Sequence, residues 1–174
     1  MKKKRIGKVG PEIARPSRRM TLTTRLGFFF ATAAGAGYSP IAPGTAGSFV
    51  AAVAFFYLGR FAWPVHLLAI VLAIVVGLWA AREVERAAGT HDDSRIVIDE
   101  VAGMWITLLA FQPTPALILA GFLVFRALDI FKPFPANYID ARWPGARGVI
   151  FDDVVCGIYA QLILRAGLRL EALL

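Results

Sequence analysis

The sequence predicts an all-α helical bundle embedded in a membrane, and three observations lead there. Hydrophobic residues make up 57% of the 174 residues, and mean hydropathy is +0.62, too apolar for an ordinary soluble domain. Three stretches, Leu26–Gly59, Phe61–Ala81 and Val101–Phe125, contain no Lys, Arg, Asp or Glu, and each exceeds the roughly 20 residues that cross a bilayer. Period-2 alternation long enough for a barrel strand is absent. The expectation is a compact helical bundle, an integral membrane protein with several transmembrane or membrane-embedded helices, three to five of them spanning. A buried bundle core is the competing explanation of the same composition.

The chain length suits one domain, 21–174, behind a basic flexible tail over 1–20. Residues 1–25 hold nine of the nineteen basic residues and one acid, Glu12, whereas the remainder carries ten basic and eleven acidic residues. A basic tail ahead of the first apolar segment predicts a cytoplasmic N-terminus in contact with anionic headgroups. No nucleic-acid partner is expected, because no basic face interleaved with aromatics follows. No small-residue cleavage site closes a short apolar region, which argues against a cleavable signal peptide. The single cysteine, Cys156, excludes an intrachain disulfide and a Cys-rich metal site.

The elements follow in order. "RLGFFFATAAGAGYS" reads as a short helix entering the membrane, and "SPIAPGTAGS" as a turn-rich loop inside a charge-free stretch. A helix from about Ala46 to Phe61 comes next, with Thr45 as its N-cap. Trp63-Pro64 breaks the chain, and the longest helix then runs to Gly89, its far end carrying Arg82, Glu83, Glu85 and Arg86 as it emerges into water. "SRIVIDEVAGMWITLLAF", Ser94–Phe111, is apolar enough for a membrane or core helix, yet Asp99 and Glu100 sit one turn inside it. "QPTP" separates it from "ALILAGFLVFRALDIF", a helix closed by Lys132-Pro133. A long polar connection over 133–148 precedes a last helix from about Phe151 to Leu170. "DEVAG" and "DDVVCG" form an echo, each opening a helix with two acids. His66 reads as a core or interface histidine and His91, in a polar loop, as solvated; the four tryptophans read as interfacial anchors or packing.

Four elements carry polar groups that an apolar bundle should avoid: Asp99–Glu100, the Arg126/Asp129/Lys132 segment, Asp152–Asp153, and the "PGTAGS" loop. Burying a carboxylate costs several kcal/mol unless something compensates it. Taken singly, each has a plain explanation: acids in first helical turns, an intrahelical ion pair, a turn with its cap. Their coincidence in one small chain points instead to a site. Five carboxylates without a Cys or His cluster suit a hard divalent cation, most simply Mg²⁺. Arg126 and Lys132, three residues beyond Asp129 and at the helix end, suit an anionic ligand such as phosphate. Gly44 and Gly47 permit close backbone approach, and with the Thr45 and Ser48 hydroxyls form a phosphate cradle.

Such a site predicts phosphoryl chemistry on a lipid. Cys156 lacks the downstream Arg of a cysteine-phosphatase loop, and no D-x-D pair supplies an aspartyl nucleophile. The histidine-nucleophile pattern and the D-x-x-D-G pattern of CDP-alcohol phosphotransferases are missing too. What remains is metal-activated water attacking phosphorus.

"GYSPIAPGTAGSF", "IVIDEVAGMWITL", "FRALDIFKPFP" and "GVIFDDVVCGIYA", in this order, closely resemble the phosphatidylglycerophosphatase A family over about Gly35 to Ala160. The resemblance implies a Mg²⁺-dependent enzyme of the bacterial inner membrane. Its substrate would be phosphatidylglycerophosphate, hydrolysed on the cytoplasmic side to phosphatidylglycerol and inorganic phosphate. Carried over by position, the family's acidic pair falls on Asp99 and Glu100, followed by Gly103. Its Arg, Asp and Lys-Pro fall on Arg126, Asp129, Lys132 and Pro133, its later Asp on Asp140, its closing pair on Asp152 and Asp153. The loop falls on Pro43, Gly44 and Thr45. Where an Asp-His order is expected, this chain has His91, Asp92 and Asp93.

On these positions Glu100, Asp129 and Asp153 would bind Mg²⁺, with Asp99 or Asp152 as further ligands or orienting and deprotonating the water. Arg126, Lys132, Ser48 and the Pro43–Thr45 loop would hold the terminal phosphate. Two alternatives stay open at this point: a phosphatase for another membrane phosphomonoester such as phosphatidic acid, and a non-catalytic divalent-cation-binding membrane protein. A cation path has little use for Arg126 and Lys132, whereas a phosphate site needs them. Gly- and Ala-rich helix faces permit close packing between helices or protomers, so an oligomer is compatible with the sequence.

Overall fold

A computed structural model describes residues 20–90 and 93–173, and among these the chain forms seven α-helices and one 3-10 turn, with no strand. The expectations for the basic tail up to residue 19 and for His91 fall outside the described residues. Helix α1, Leu22–Ala31, starts where the Thr21 hydroxyl accepts the Thr24 N–H at 3.2 Å. A 3-10 turn, Ala36–Tyr38, leads into α2, Pro43–Leu58. Here the expectation of Thr45 as N-cap is corrected. Ala42 caps the helix and Pro43 opens it, because proline's fixed φ and missing N–H suit the first helical position.

Helix α3, Trp63–Ala88, ends as anticipated at Gly89, whose φ of 70° breaks the helical path. Helix α4 is short, Ile98–Thr107. Helix α5, Pro115–Phe131, starts at Thr114, whose hydroxyl accepts the Leu117 N–H, and stops at Lys132. The stretch expected to be a polar connection contains α6, Ala136–Arg142, which buries Ala136 and Ile139. Helix α7, Ala146–Glu171, begins five residues earlier than expected. Asp152 and Asp153 therefore lie in its second turn, and only Asp99–Glu100 opens a helix with acids.

Helix α4 is the axis of the bundle, packed by α7, α2, α3 and α5. Nine of its ten residues are buried, and at about 15 Å it is too short to cross a bilayer. It is a core helix. Its close crossing with α7 rests on two glycines: a Cβ on Gly157 would lie 2.5 Å from the Gly103 carbonyl oxygen. Thr107 Oγ1 donates to the Gly103 carbonyl at 2.9 Å beside this crossing. Gly157→Ala must push the two helices apart, at a cost of about 1–3 kcal/mol. Thermal unfolding in detergent should show that loss as a lowered Tm, and an unchanged Tm would mean the crossing is slack. His66 is 2% exposed, and its Nδ1 accepts the Ala110 N–H at 3.3 Å, in keeping with a core histidine.

The outside of the bundle is apolar. Leu67, Leu68, Val71, Leu72 and Val75 on α3 are exposed, as are Phe49 and Val53 on α2, Leu119 and Leu123 on α5, and Leu162 and Ile163 on α7. An aqueous surface rarely carries that much contiguous hydrocarbon, whereas a bilayer favours it. Among the described residues one helix, α3, is long and apolar enough to cross a membrane. At 26 residues it measures about 39 Å. Helices α2 and α5, with 16 and 17 residues, fall short of a full span. By length and composition, then, one spanning helix stands where the sequence predicts three to five.

Candidate active site

The ends of five helices meet around one cavity of about 330 Å³. Helix α4 brings Asp99 and Glu100 from its first turn, and α7 brings Asp152 and Asp153. The C-terminal end of α5 contributes Arg126 and Asp129, with Lys132 at its cap. Helix α6 adds Asp140, and the start of α2 adds Pro43 and Gly44. Residues scattered from 43 to 153 thus share one wall because every contributing helix points an end at the same place. Ala42 and Lys132, both on this wall, have φ of 49° and 42°, the left-handed region that costs a side chain about 1 kcal/mol or more.

The acids divide into two kinds by their partners. Asp129 Oδ2 is held by Arg126 Nη1 at 2.5 Å, and Asp152 Oδ2 by Lys132 Nζ at 2.6 Å. Asp152 Oδ1 accepts the Asp153 backbone N–H at 2.9 Å, so both its oxygens are engaged. Lys132 also meets Asp140 Oδ1 at 3.0 Å. Burial disfavours the lysine charge, but the hydrogen bonds and charges of Asp152 and Asp140 outweigh it and hold its pKa above the usual value.

Asp99, Glu100 and Asp153 are different. Each is buried and each has one oxygen, Oδ1, Oε2 and Oδ2 respectively, without a hydrogen-bond partner. The three offer ligand atoms within 4.8 Å of one another. Arg126 Nη1 lies 3.8 Å from Glu100 Oε1, too long for a good hydrogen bond, and no lysine reaches the trio within ion-pair distance among the described residues. Orphaned oxygens of like charge at this separation need a cation between them or protons upon them. This donor set, oxygen-only and buried, fits a hard divalent ion such as Mg²⁺.

Beside the trio stands Arg126. It is anchored by Asp129 and reaches Ser48 Oγ at 3.4 Å, while Ser48 itself donates to the Gly44 carbonyl at 2.9 Å. The Arg126 Nε–H is buried without a partner, a donor still available to a ligand oxygen. Glycine is required at 44, because a Cβ there would overlap Glu100 Oε1. Gly44→Ala must displace that carboxylate, and an expected loss of about 100-fold in turnover, with the protein still folded, would measure it. Near-normal turnover would show that the acid can move freely.

All the predicted acids, both basic residues, Pro43 and Gly44 line the cavity. Of the loop residues, Thr45 and Ser48 do not form its wall, and Ser48 acts through Arg126. Reading by position alone passed over Ala42, Ser94, Ile96 and Val149, which also line it, and over Asp93, clamped by Arg95 through two bonds of 2.8 and 2.6 Å. Only the acid-rich "HDDSR" loop signalled the last of these.

Known proteins resemble this chain over most of its length. A family profile described as "Phosphatidylglycerophosphatase A" matches residues 29–168. A protein of Escherichia coli K12 named "Phosphatidylglycerophosphatase A" is 41% identical over 132 residues, 75% of this chain and 76% of its own length. One of that name from Haemophilus influenzae is 34% identical over 137 residues, covering 76% of this chain and 82% of its own. A Bacteroides thetaiotaomicron protein named "Putative phosphatidylinositol-3-phosphatase" is 37% identical over 142 residues, 76% of this chain and 87% of its own. No solved structure matches the chain.

Proposed function

Since the chain belongs to the phosphatidylglycerophosphatase A family, we propose that it hydrolyses phosphatidylglycerophosphate to phosphatidylglycerol and inorganic phosphate. The observation that carries this reading is the pairing within one cavity of three orphaned carboxylate oxygens and an arginine with a free buried donor. A cation-binding protein without catalysis would have use for the first but none for the second. On this reading the enzyme would sit in the bacterial inner membrane with the cavity at the cytoplasmic face, which the apolar length of α3 and the exposed hydrocarbon around it support.

Asp99, Glu100 and Asp153 would hold Mg²⁺. Bound there, the ion would supply charge neutralisation for the phosphoryl oxygens and a more acidic water. The chain's own residues do the rest. Arg126, fixed by Asp129, offers Nε–H to a phosphoryl oxygen in a place shielded from water. Lys132, held between Asp152 and Asp140, stands ready with its charge for a second oxygen or the leaving group. Asp129 also lies beside Asp153, so it can turn its other oxygen to the acid trio. Asp152 has both oxygens occupied and serves to position Lys132.

The test is phosphate release from purified protein in detergent, with phosphatidylglycerophosphate, phosphatidic acid and phosphatidylinositol 3-phosphate offered side by side, with Mg²⁺ and with EDTA. Metal-dependent release selective for the first lipid is expected. Selectivity for either of the others would move the reading to another membrane phosphomonoester, and release from none would refute it. Independently of turnover, Mg²⁺ at about 100 times its Kd should raise Tm by about 5–10 °C. Absence of any shift would count against the acid trio as its site.

A further inference from the structure

A second, apolar cavity lies between α2 and α5, the two helices that bring Gly44 and Arg126 to the first, and we infer that this groove holds an acyl chain of the lipid whose phosphate is being hydrolysed. The inference rests on the lipid-phosphatase reading above and specifies how the lipid lies. The groove measures about 450 Å³ and is lined by Phe49, Ala52 and Val53 of α2 and by Ile118, Leu119 and Phe122 of α5, among other apolar side chains.

Its place in the fold names its occupant. On α2, Gly44, Ser48 and Ala52 follow one another at four-residue spacing and so share a helix face. On α5 the same spacing joins Arg126, Phe122 and Ile118. The Ser48–Arg126 contact at 3.4 Å joins the two rows. One step along both rows from that contact, Ala52 and Phe122 line the apolar groove. Each step is about 6 Å of helix, so Ile118 lies about 12 Å from Arg126 along α5. A ligand filling both spaces must carry an anion at one end and hydrocarbon at the other, about two helical turns away at Ile118. A phosphomonoester lipid has that layout, whereas a water-soluble phosphate ester would leave the groove empty.

Phe49, Val53 and Leu119 line the groove and are exposed. A chain lying along those side chains would face the bilayer, so it need not leave hydrocarbon for its phosphate to reach the site.

The experiment narrows the groove and reads chain-length preference. Val53→Trp and Leu119→Trp add bulk at half-exposed positions that can accept it without disturbing the core. Val75→Trp places the same residue on the exposed face of α3, outside the groove, as a control. Each protein is assayed in one detergent with dioleoyl and dihexanoyl phosphatidylglycerophosphate. For the wild type and Val75→Trp, kcat/KM should favour the dioleoyl lipid. In the two groove variants that preference should fall about tenfold, with kcat/KM on the dihexanoyl lipid retained. An unchanged preference in both groove variants, or an equal fall in Val75→Trp, would overturn the groove while leaving the phosphatase intact. Release from neither lipid by the wild type would instead overturn the phosphatase reading, and the groove assignment with it.

Discussion

Replacing Asp153 by asparagine should lower phosphate release from phosphatidylglycerophosphate by about 10³-fold or more, equivalent to about 4 kcal/mol of transition-state stabilisation. The amide has the size of the acid and the same helix position, so packing in α7 is retained; what disappears is one of three orphaned anionic oxygens. Stability provides a second, independent readout. Without divalent cation, three buried carboxylates repel one another, so Asp153→Asn in EDTA should melt at or above the wild-type Tm. With Mg²⁺ the order should reverse, because the wild type gains binding energy that the variant lacks. Glu100→Gln should behave alike. If both variants keep wild-type turnover and the same Tm response to Mg²⁺, the acid trio is not the metal site.

The second large effect is expected at Arg126. Arg126→Ala removes the buried Nε–H donor and frees Asp129, whose carboxylate then sits beside Asp153 without its counter-charge. Turnover should fall by about 10²–10³-fold, the usual cost of losing one donor to a developing anion. Arg126→Lys should recover little of this. An ammonium is a point donor and cannot hold Asp129, reach Ser48 and present a further N–H in fixed directions, as the guanidinium fork does. A lysine variant with near-native kcat/KM would show that charge alone matters and that the fork geometry is incidental. Inorganic phosphate as a product inhibitor gives a further check: its inhibition should weaken in both variants if Arg126 holds phosphate.

Much of this was legible in the residue order. Proline and glycine punctuate the chain so clearly that the ends of α3 at Gly89 and of α5 at Lys132-Pro133 could be placed from sequence. The stranded acids stood out because nothing else in a charge-free helix explains them. Where local signals competed, the reading slipped. Thr45 has the chemistry of a cap, but Pro43 two residues earlier opens the helix more readily. Helix α6 carries too few apolar residues to announce itself, and it forms where α7 covers Ala136 and Ile139. Helix α4 has the composition of a span, yet it is ten residues long and enclosed by the others.

Residue types and their spacing therefore decided the class of chain: helical and strongly apolar, with acids and two basic groups stranded in apolar helices. Only the tertiary structure decided which acid pairs with a basic group and which is left without a partner. Asp152 and Asp153 are neighbours in sequence, and so are Asp99 and Glu100, but successive side chains on a helix point about 100° apart. One of the first pair turns to Lys132 and the other to the orphaned trio, and Asp129 is drawn to Arg126 one helical turn away. Those choices depend on how α4, α5 and α7 cross, set by contacts such as Gly103 against Gly157, fifty-odd residues apart. A sequence shows that charges are available, whereas their pairing follows from distances of a few ångströms that exist only once the helices have packed.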